Sequence, residues 1–394
     1  MKYVILTLSW LFGVVFGLLT IVAIAAGRFV PAIPLLLITC LLLPPVGTAV
    51  RRITSKSLHW LIRGFLIIVL LVIFVILSFN TIANEPLYKS PDIQAKLMAI
   101  YDAKLAEWPV PYESKYVQTM YGKVHVIISG PDDAPPVLLL HAASLPSWSW
   151  MSIIEELNEH YKTYAVDYIG EANRSVLNDP KNFPVDGRAL CDLYVDISSK
   201  LGVAQSHVIA ASVGGYVATN YALYAPERVK KLILLGPMGV TPATASVAVK
   251  LMVGTLFPIP LSKDAMYHWA LGDNPVVHEA CGEWFRTILD GAGRKGPPPL
   301  TFTPAELGQI EMPVLLVLGT RDALVGDPAK VIPLAQNVPD IQIEILNTAH
   351  GIWIEQPDAV NALILEFLDN DGVRPHVNKR GQTPRFGELR GQDS

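Results

Sequence analysis

The first 83 residues contain no aspartate or glutamate. They hold six basic residues, Lys2, Arg28, Arg51, Arg52, Lys56 and Arg63, whereas the remaining 311 residues carry 25 basic and 35 acidic groups. The net charge of −4 thus conceals a basic segment joined to an acidic one. Phosphate recognition needs clustered Lys and Arg, so the acidic larger part gives nucleic-acid binding no support. Charged residues make up only 17% of the chain and hydrophobic ones 51%, which rules out a disordered scaffold and a simple cytosolic enzyme. Cysteine is scarce, and Cys40, Cys191 and Cys281 cannot frame a disulfide-rich secreted fold. Cys40 sits in an apolar run; the other two could pair or remain buried thiols, since spacing alone fixes no geometry. No CxxC or HExxH spacing suggests a metal, and without GxGxxG no nicotinamide or flavin cofactor is expected.

Three long uncharged runs are present, over residues 3–27, 29–50 and 64–83. About 20 helical residues cross a bilayer, so the composition predicts an anchor over 1–83 with about three transmembrane helices. The second run carries Pro31, Pro34, Pro44 and Pro45 and could be shorter, kinked or re-entrant. A cleaved signal peptide fits the first run poorly, because a typical apolar region there spans about 7–15 residues. The basic cluster Arg51, Arg52, Lys56 and Arg63 places the loop between the second and third runs in the cytoplasm. A multi-pass protein, in the cell membrane, with its C-terminal part outside the cytoplasm is the resulting expectation. No acid or base lies within the runs, so anchoring accounts for them better than transport does.

Residues 84–114 read as a juxtamembrane helix and linker, with Ser90 as N-cap, Pro91 at the first position, and Ile93, Leu97, Ile100, Tyr101 and Leu105 along one side. That stripe could pack on the soluble domain or rest on the bilayer, and packing is the simpler reading. Residues 115–370 alternate short β-branched runs with amphipathic helical stretches, the pattern of an α/β fold with helices on both faces of a mostly parallel sheet. Eight strands are predicted, at 116–121, 123–129, 137–140, 163–167, 207–210, 232–235, 314–318 and 342–346, the first two as a hairpin around Gly122. Residues 237–312 lack a strand pattern and read as an inserted helical cap; 371–394 form a polar tail expected to be disordered.

The segment 208–216 runs from a strand straight into a helix through Ala210, Ala211, Ser212, Val213, Gly214 and Gly215. Small neighbours are what a tight turn needs if a serine hydroxyl is to project at its apex. A helix-capping serine would suit the bare A-x-S-x-G spacing as well. At this point residues 115–370 resemble the α/β-hydrolase superfamily. Four more segments carry the resemblance. Residues 140–144, with His141 and Ala142, resemble the His-Gly-x oxyanion loop; residues 167–175, from Asp167, resemble the D-x-x-G-x-G-x-S segment. Residues 318–325 resemble the loop presenting the triad acid, here Asp322, and residues 349–357 the loop presenting the triad histidine, here His350.

The resemblance implies a triad of Ser212, Asp322 and His350, in the family's chain order, with an oxyanion hole made by the backbone N–H groups of Ala143 and Val213. A serine hydroxyl needs a base to become nucleophilic, and that base needs a partner to fix its tautomer. Serine rather than aspartate at the turn favours acyl chemistry over dehalogenase or epoxide-hydrolase chemistry. Individually each residue has an ordinary alternative fate, as cap, turn or surface residue. His141 reads as a structural hydrogen-bonding residue, and Asp167 and Glu171 as loop-shaping groups. Apolar cap residues, among them Leu251, Met252, Leu256, Phe257, Met266, Trp269, Trp284 and Phe285, could line an acyl pocket or form the cap's own core. The expectation is a membrane-anchored, carboxylesterase- or lipase-like serine hydrolase acting on a small-molecule or lipid-like ester, without cofactor. An acyltransferase, or a non-catalytic membrane sensor on the same fold, is the alternative; Ala210 and Ala142, where glycine is usual, give the latter its weight.

Overall fold

The computed structural model describes residues 2–25, 28–45, 60–240 and 260–370. Three helices lead, α1 (Lys2–Ala25), α2 (Phe29–Leu42) and α3 (Trp60–Asn84). Among the described residues one helix, over Thr7–Ala25, is long and apolar enough to cross a bilayer, against the three spans expected. The second run is short, as its prolines allowed. Its helix has 14 residues, about 21 Å long against a hydrocarbon core of about 30 Å. The cause is local: Leu43 precedes Pro44, whose ring disfavours the helical region, and Leu43 turns extended at ψ 123°. In α3 the described apolar stretch runs over Ile62–Ser78. Ala23, Ala32, Leu35 and Phe74 pack the three helices together, and Arg63 donates to the Leu41 carbonyl. Leu11, Leu18, Ile21, Phe65 and Ile68 point outward and are exposed. Arg51, Arg52 and Lys56, on which the sidedness rests, lie outside the described residues.

Helix α4 (Pro91–Ala106) follows a short linker. Ser90 accepts the Ile93 N–H at 3.3 Å, and Pro91 occupies the first turn, where no backbone donor is needed. Leu97, Tyr101 and Leu105 are buried against the globular part. The linker is itself hydrogen-bonded: Lys89 N–H donates to Gly291 and Gly293 N–H to Leu87, each at 2.8 Å. Arg28 and Glu85 form an ion pair at 3.6 Å beside it.

The sheet contains β1 (Tyr112–Gln118), β2 (Gly122–Ser129), β3 (Pro136–Leu140), β4 (Lys162–Val166), β5 (Val176–Leu177), β6 (Ser206–Ala211), β7 (Val229–Leu235), β8 (Val314–Gly319) and β9 (Ile341–Leu346). Their order is β1-β2-β4-β3-β6-β7-β8-β9, with β5 paired to β2. From β4 to β9 all neighbours are parallel, while β1 and β2 are antiparallel. Two differences from the expected eight strands have a common origin at Gly122. The hairpin turns at Thr119–Tyr121, just before the predicted turn at Gly122, because Thr119 Oγ1 accepts the N–H groups of both Tyr121 and Gly122, and its first strand starts four residues earlier, at Tyr112. Gly122 has φ +148°, and a Cβ there would lie 2.0 Å from the Val176 carbonyl, so its bareness is what admits β5.

Alternation along the strands builds two cores. In β6, Val208 and Ala210 face one side, with α6 (Gly187–Lys200) and α7 (Val213–Tyr224), while Ile209 and Ala211 face the other. The second side is covered by α4, by the short α5 (Ile154–Asn158), and by the cap helices α8 (Pro260–Leu271) and α9 (Pro275–Gly291). Strands buried on both faces explain the uninterrupted apolar runs. Chain order reverses between β3 and β6, which opens a crevice at the carboxyl ends of these strands. Cap residues Leu251, Met252, Leu256 and Phe257 and the tail 371–394 lie outside the described residues. Cys191 and Cys281 are buried free thiols, and burial pushes Cys281 up to about 12.

Candidate active site

Ser212 sits between β6 and α7 at φ 53° and ψ −118°, a conformation that side-chain-bearing residues rarely hold. Its N–H donates to Leu235 at 3.1 Å, and its carbonyl accepts from Gly215 and Met238 at 2.9 and 2.8 Å. The turn leaves no space. A Cβ on Gly214 would lie 2.2 Å from the Leu140 carbonyl, and one on Gly215 would lie 2.4 Å from Pro237 Cβ. Ala210, where the resemblance has glycine, is fully buried and its methyl packs into the core below the turn.

Asp322 and His350 come from the loops after β8 and β9. His350 Nδ1 donates to Asp322 Oδ2 at 2.7 Å. The other carboxylate oxygen accepts the N–H groups of Leu324 and Val325, both at 2.9 Å. Burial pushes the Asp322 carboxyl up, but His350 and the two backbone donors outweigh it and hold it below the ordinary carboxylate value. With Nδ1 committed, His350 Nε2 is buried and has no hydrogen-bond partner among the described residues. The pair lies next to the serine's own support, since a Cβ on Gly236, which follows Leu235, would be 3.1 Å from Asp322 Oδ2 and 3.6 Å from His350 Nδ1.

The loop after β3 faces the same crevice. Leu145 N–H bonds Ala142 O at 3.1 Å, and Ser144 at φ 61° is, with Ser212, one of two non-glycine residues in the left-handed region among those described. The N–H groups of Ala143 and Val213 have no hydrogen-bond acceptor among the described residues. His141 is fully buried; the Tyr168 N–H donates to its Nε2 at 3.0 Å, so its Nδ1 carries the proton and donates to Ala142 O at 2.8 Å. Both ring nitrogens are occupied, which leaves His141 no capacity as a base.

Behind this loop lies a polar network that sequence reasoning missed in part. Asp167 is fully buried and accepts from Tyr101 Oη at 2.7 Å, from His125 Nδ1 at 2.9 Å and from the Ser147 N–H at 2.9 Å. Burial raises its carboxyl, but the His125 hydrogen bond and the nearby imidazoles lower it further, so the net displacement is downward. Tyr101 had been legible only as part of an apolar stripe, and nothing around His125 in the sequence sets it apart. Glu171 accepts the Ser144 N–H at 2.9 Å and pairs with Arg294 at 2.8 Å. Trp284 and Phe285 are buried in the core beneath the cap, and Trp269 Nε1 bonds Ala323 O at 3.2 Å over the Asp322 loop.

Residues 137–363 match the Alpha/beta hydrolase family. The chain is 33% identical over 278 residues to an uncharacterized carboxylesterase, nap, of Bacillus subtilis, an alignment covering 68% of this chain and 91% of the relative. The carboxylesterase YbfK of the same organism is 31% identical over 280 residues, covering 68% and 92%. Among solved structures, that of naproxen esterase from Bacillus subtilis superposes with a TM-score of 0.66 at 30% identity, over 71% of this chain and all of that one.

Proposed function

Because the chain belongs to the alpha/beta hydrolase family and is a serine ester hydrolase, we propose that it is a membrane-anchored carboxylesterase working through an acyl-enzyme on Ser212. The observation that carries this reading is the unpartnered Nε2 of His350, held by Asp322 beside the turn that presents Ser212. In the reaction, Ser212 Oγ adds to the ester carbonyl carbon while Nε2 takes the hydroxyl proton. The carbonyl π electrons move to oxygen, and that oxyanion is met by the free N–H groups of Ala143 and Val213. Collapse expels the alkoxide, which leaves with the proton from Nε2. Water, activated by the same nitrogen, then releases the acid and restores Ser212.

Anchoring is supported by the apolar helix over Thr7–Ala25 and by the outward apolar side chains of α1 and α3. If α3 crosses as well, the hydrolase unit lies on the face opposite the basic residues Arg51, Arg52 and Lys56, which the positive-inside tendency keeps cytoplasmic. The substrate in this reading is a small-molecule or lipid-like ester with an apolar acyl part. Hydrolysis of p-nitrophenyl esters of increasing chain length by detergent-solubilised protein, with Ser212→Ala beside it, tests the reading. Undiminished activity in Ser212→Ala contradicts it.

A further inference from the structure

Ser144 holds a left-handed backbone although it carries a side chain, and such strain persists only where surroundings over-determine it. Both of its backbone polar groups are engaged by side chains from other elements. Glu171 Oε2, on the loop after β4, accepts the N–H at 2.9 Å, and Trp284 Nε1, on cap helix α9, donates to the carbonyl at 2.7 Å. The Leu145 to Ala142 bond closes a turn with Ala143 and Ser144 at its centre. Positive φ at the second central position alone makes it type II, and the peptide between the two central residues is the one that turns over to give type I. The N–H of that peptide is the one gripped by Glu171.

The grip is itself anchored. Glu171 is buried and bonds Arg294 at 2.8 Å, while the neighbouring Lys295 N–H donates to Gly170 O at 2.7 Å, tying the end of the cap to this loop. The Trp284 ring meets Trp148 and Tyr101 edge-on, with centroids 5.7 and 6.3 Å away. Further along the loop, Asp167 fixes the Ser147 N–H. We propose that Glu171 and Trp284 are positioning residues that clamp the Ser144 turn and thereby aim the Ala143 N–H at the developing oxyanion, so that cap helix α9 completes the oxyanion hole. This rests on the reading of Ala143 as an oxyanion donor in a Ser212 esterase.

The test uses full-length protein in detergent and the variants Glu171→Gln, which is isosteric, and Trp284→Phe, which removes the indole donor and keeps an aromatic ring, each alone and combined with Ser144→Gly, which takes the same φ without strain. Loss of an oxyanion donor outright costs about 100- to 1000-fold in kcat, so a misaimed one should cost about tenfold. Expected are a kcat lowered about tenfold with KM unchanged, and an equal weakening of a trifluoromethyl ketone inhibitor, whose adduct with Ser212 carries the oxyanion. Adding Ser144→Gly should restore about half of the loss on a logarithmic scale. A purely structural role would move the melting temperature without this split or rescue. Unchanged kcat in both variants, or a loss confined to KM, overturns the clamp while activity lost in Ser212→Ala leaves the esterase reading standing. An inactive wild type, or an active Ser212→Ala, overturns both.

Discussion

The hydroxyl of Tyr101 donates to Asp167 Oδ2 at 2.7 Å, joining helix α4 to the end of β4, 66 residues further on. The same carboxylate holds the Ser147 N–H through its other oxygen at 2.9 Å. Helix α4 is thus keyed into the hydrolase unit by a polar bond as well as by Leu97 and Leu105. Removing one donor from a buried carboxylate costs about 1–3 kcal/mol. Tyr101→Phe should lower the urea midpoint accordingly with an unchanged m-value; a shift below about 0.3 kcal/mol would show that the bond contributes nothing.

His207, at the start of β6, is held down at about 4 by burial, with the charges of Lys230 and Lys231 adding to it. Its folded value lies below the unfolded value of about 6.5, so the unfolded chain takes the proton first. Stability from this neutral residue is complete above about pH 6.5 and is lost as pH falls toward 4, by at most about 1.4 kcal/mol per pH unit. In His207→Gln the slope of stability against pH over that window should flatten. An unchanged slope would assign it to other groups.

Gly214 and Ala210 flank Ser212 at matching distances, yet they should respond oppositely to substitution. Gly214→Ala drives a methyl to 2.2 Å from the Leu140 carbonyl, which forces the turn to move, and kcat should fall by two orders of magnitude or more. Ala210→Gly only removes a buried methyl, costing about 1 kcal/mol of stability with kcat within about twofold. Steady-state kinetics and thermal melts of the two variants separate these effects.

Anchoring predicts that the full-length chain stays in the membrane fraction through an alkaline carbonate wash and leaves it only in detergent. Release by carbonate alone would mean that the apolar helix over Thr7–Ala25 packs elsewhere.

Much of this was legible beforehand for physical reasons. The α/β-hydrolase fold could be read because doubly covered strands must be apolar and because a serine turn admits only small neighbours, as Ala211, Gly214 and Gly215 display. What was illegible depends on contacts between distant segments. Two residues of β5 carry no pattern of their own and exist because bare Gly122 lets the chain cross. Tyr101 looks like any apolar member of an amphipathic stripe until Asp167 faces it. The grip of Glu171 and Trp284 on Ser144 joins positions 27 and 140 residues from it. The shortness of α2 was foreshadowed by the prolines of its run, because Pro44 acts on the backbone of Leu43.

The central claim is that Ser212, with His350 oriented by Asp322, forms an acyl-enzyme. Its most direct measurement is burst kinetics of a p-nitrophenyl ester with wild type, Ser212→Ala and Asp322→Asn, paired with mass spectrometry of the trapped intermediate. The account predicts one acyl group per chain on Ser212, none in Ser212→Ala, and turnover about 10⁴-fold slower in Asp322→Asn, where the imidazole loses its fixed tautomer. Full turnover by Ser212→Ala, or an acyl group on another residue, would contradict it.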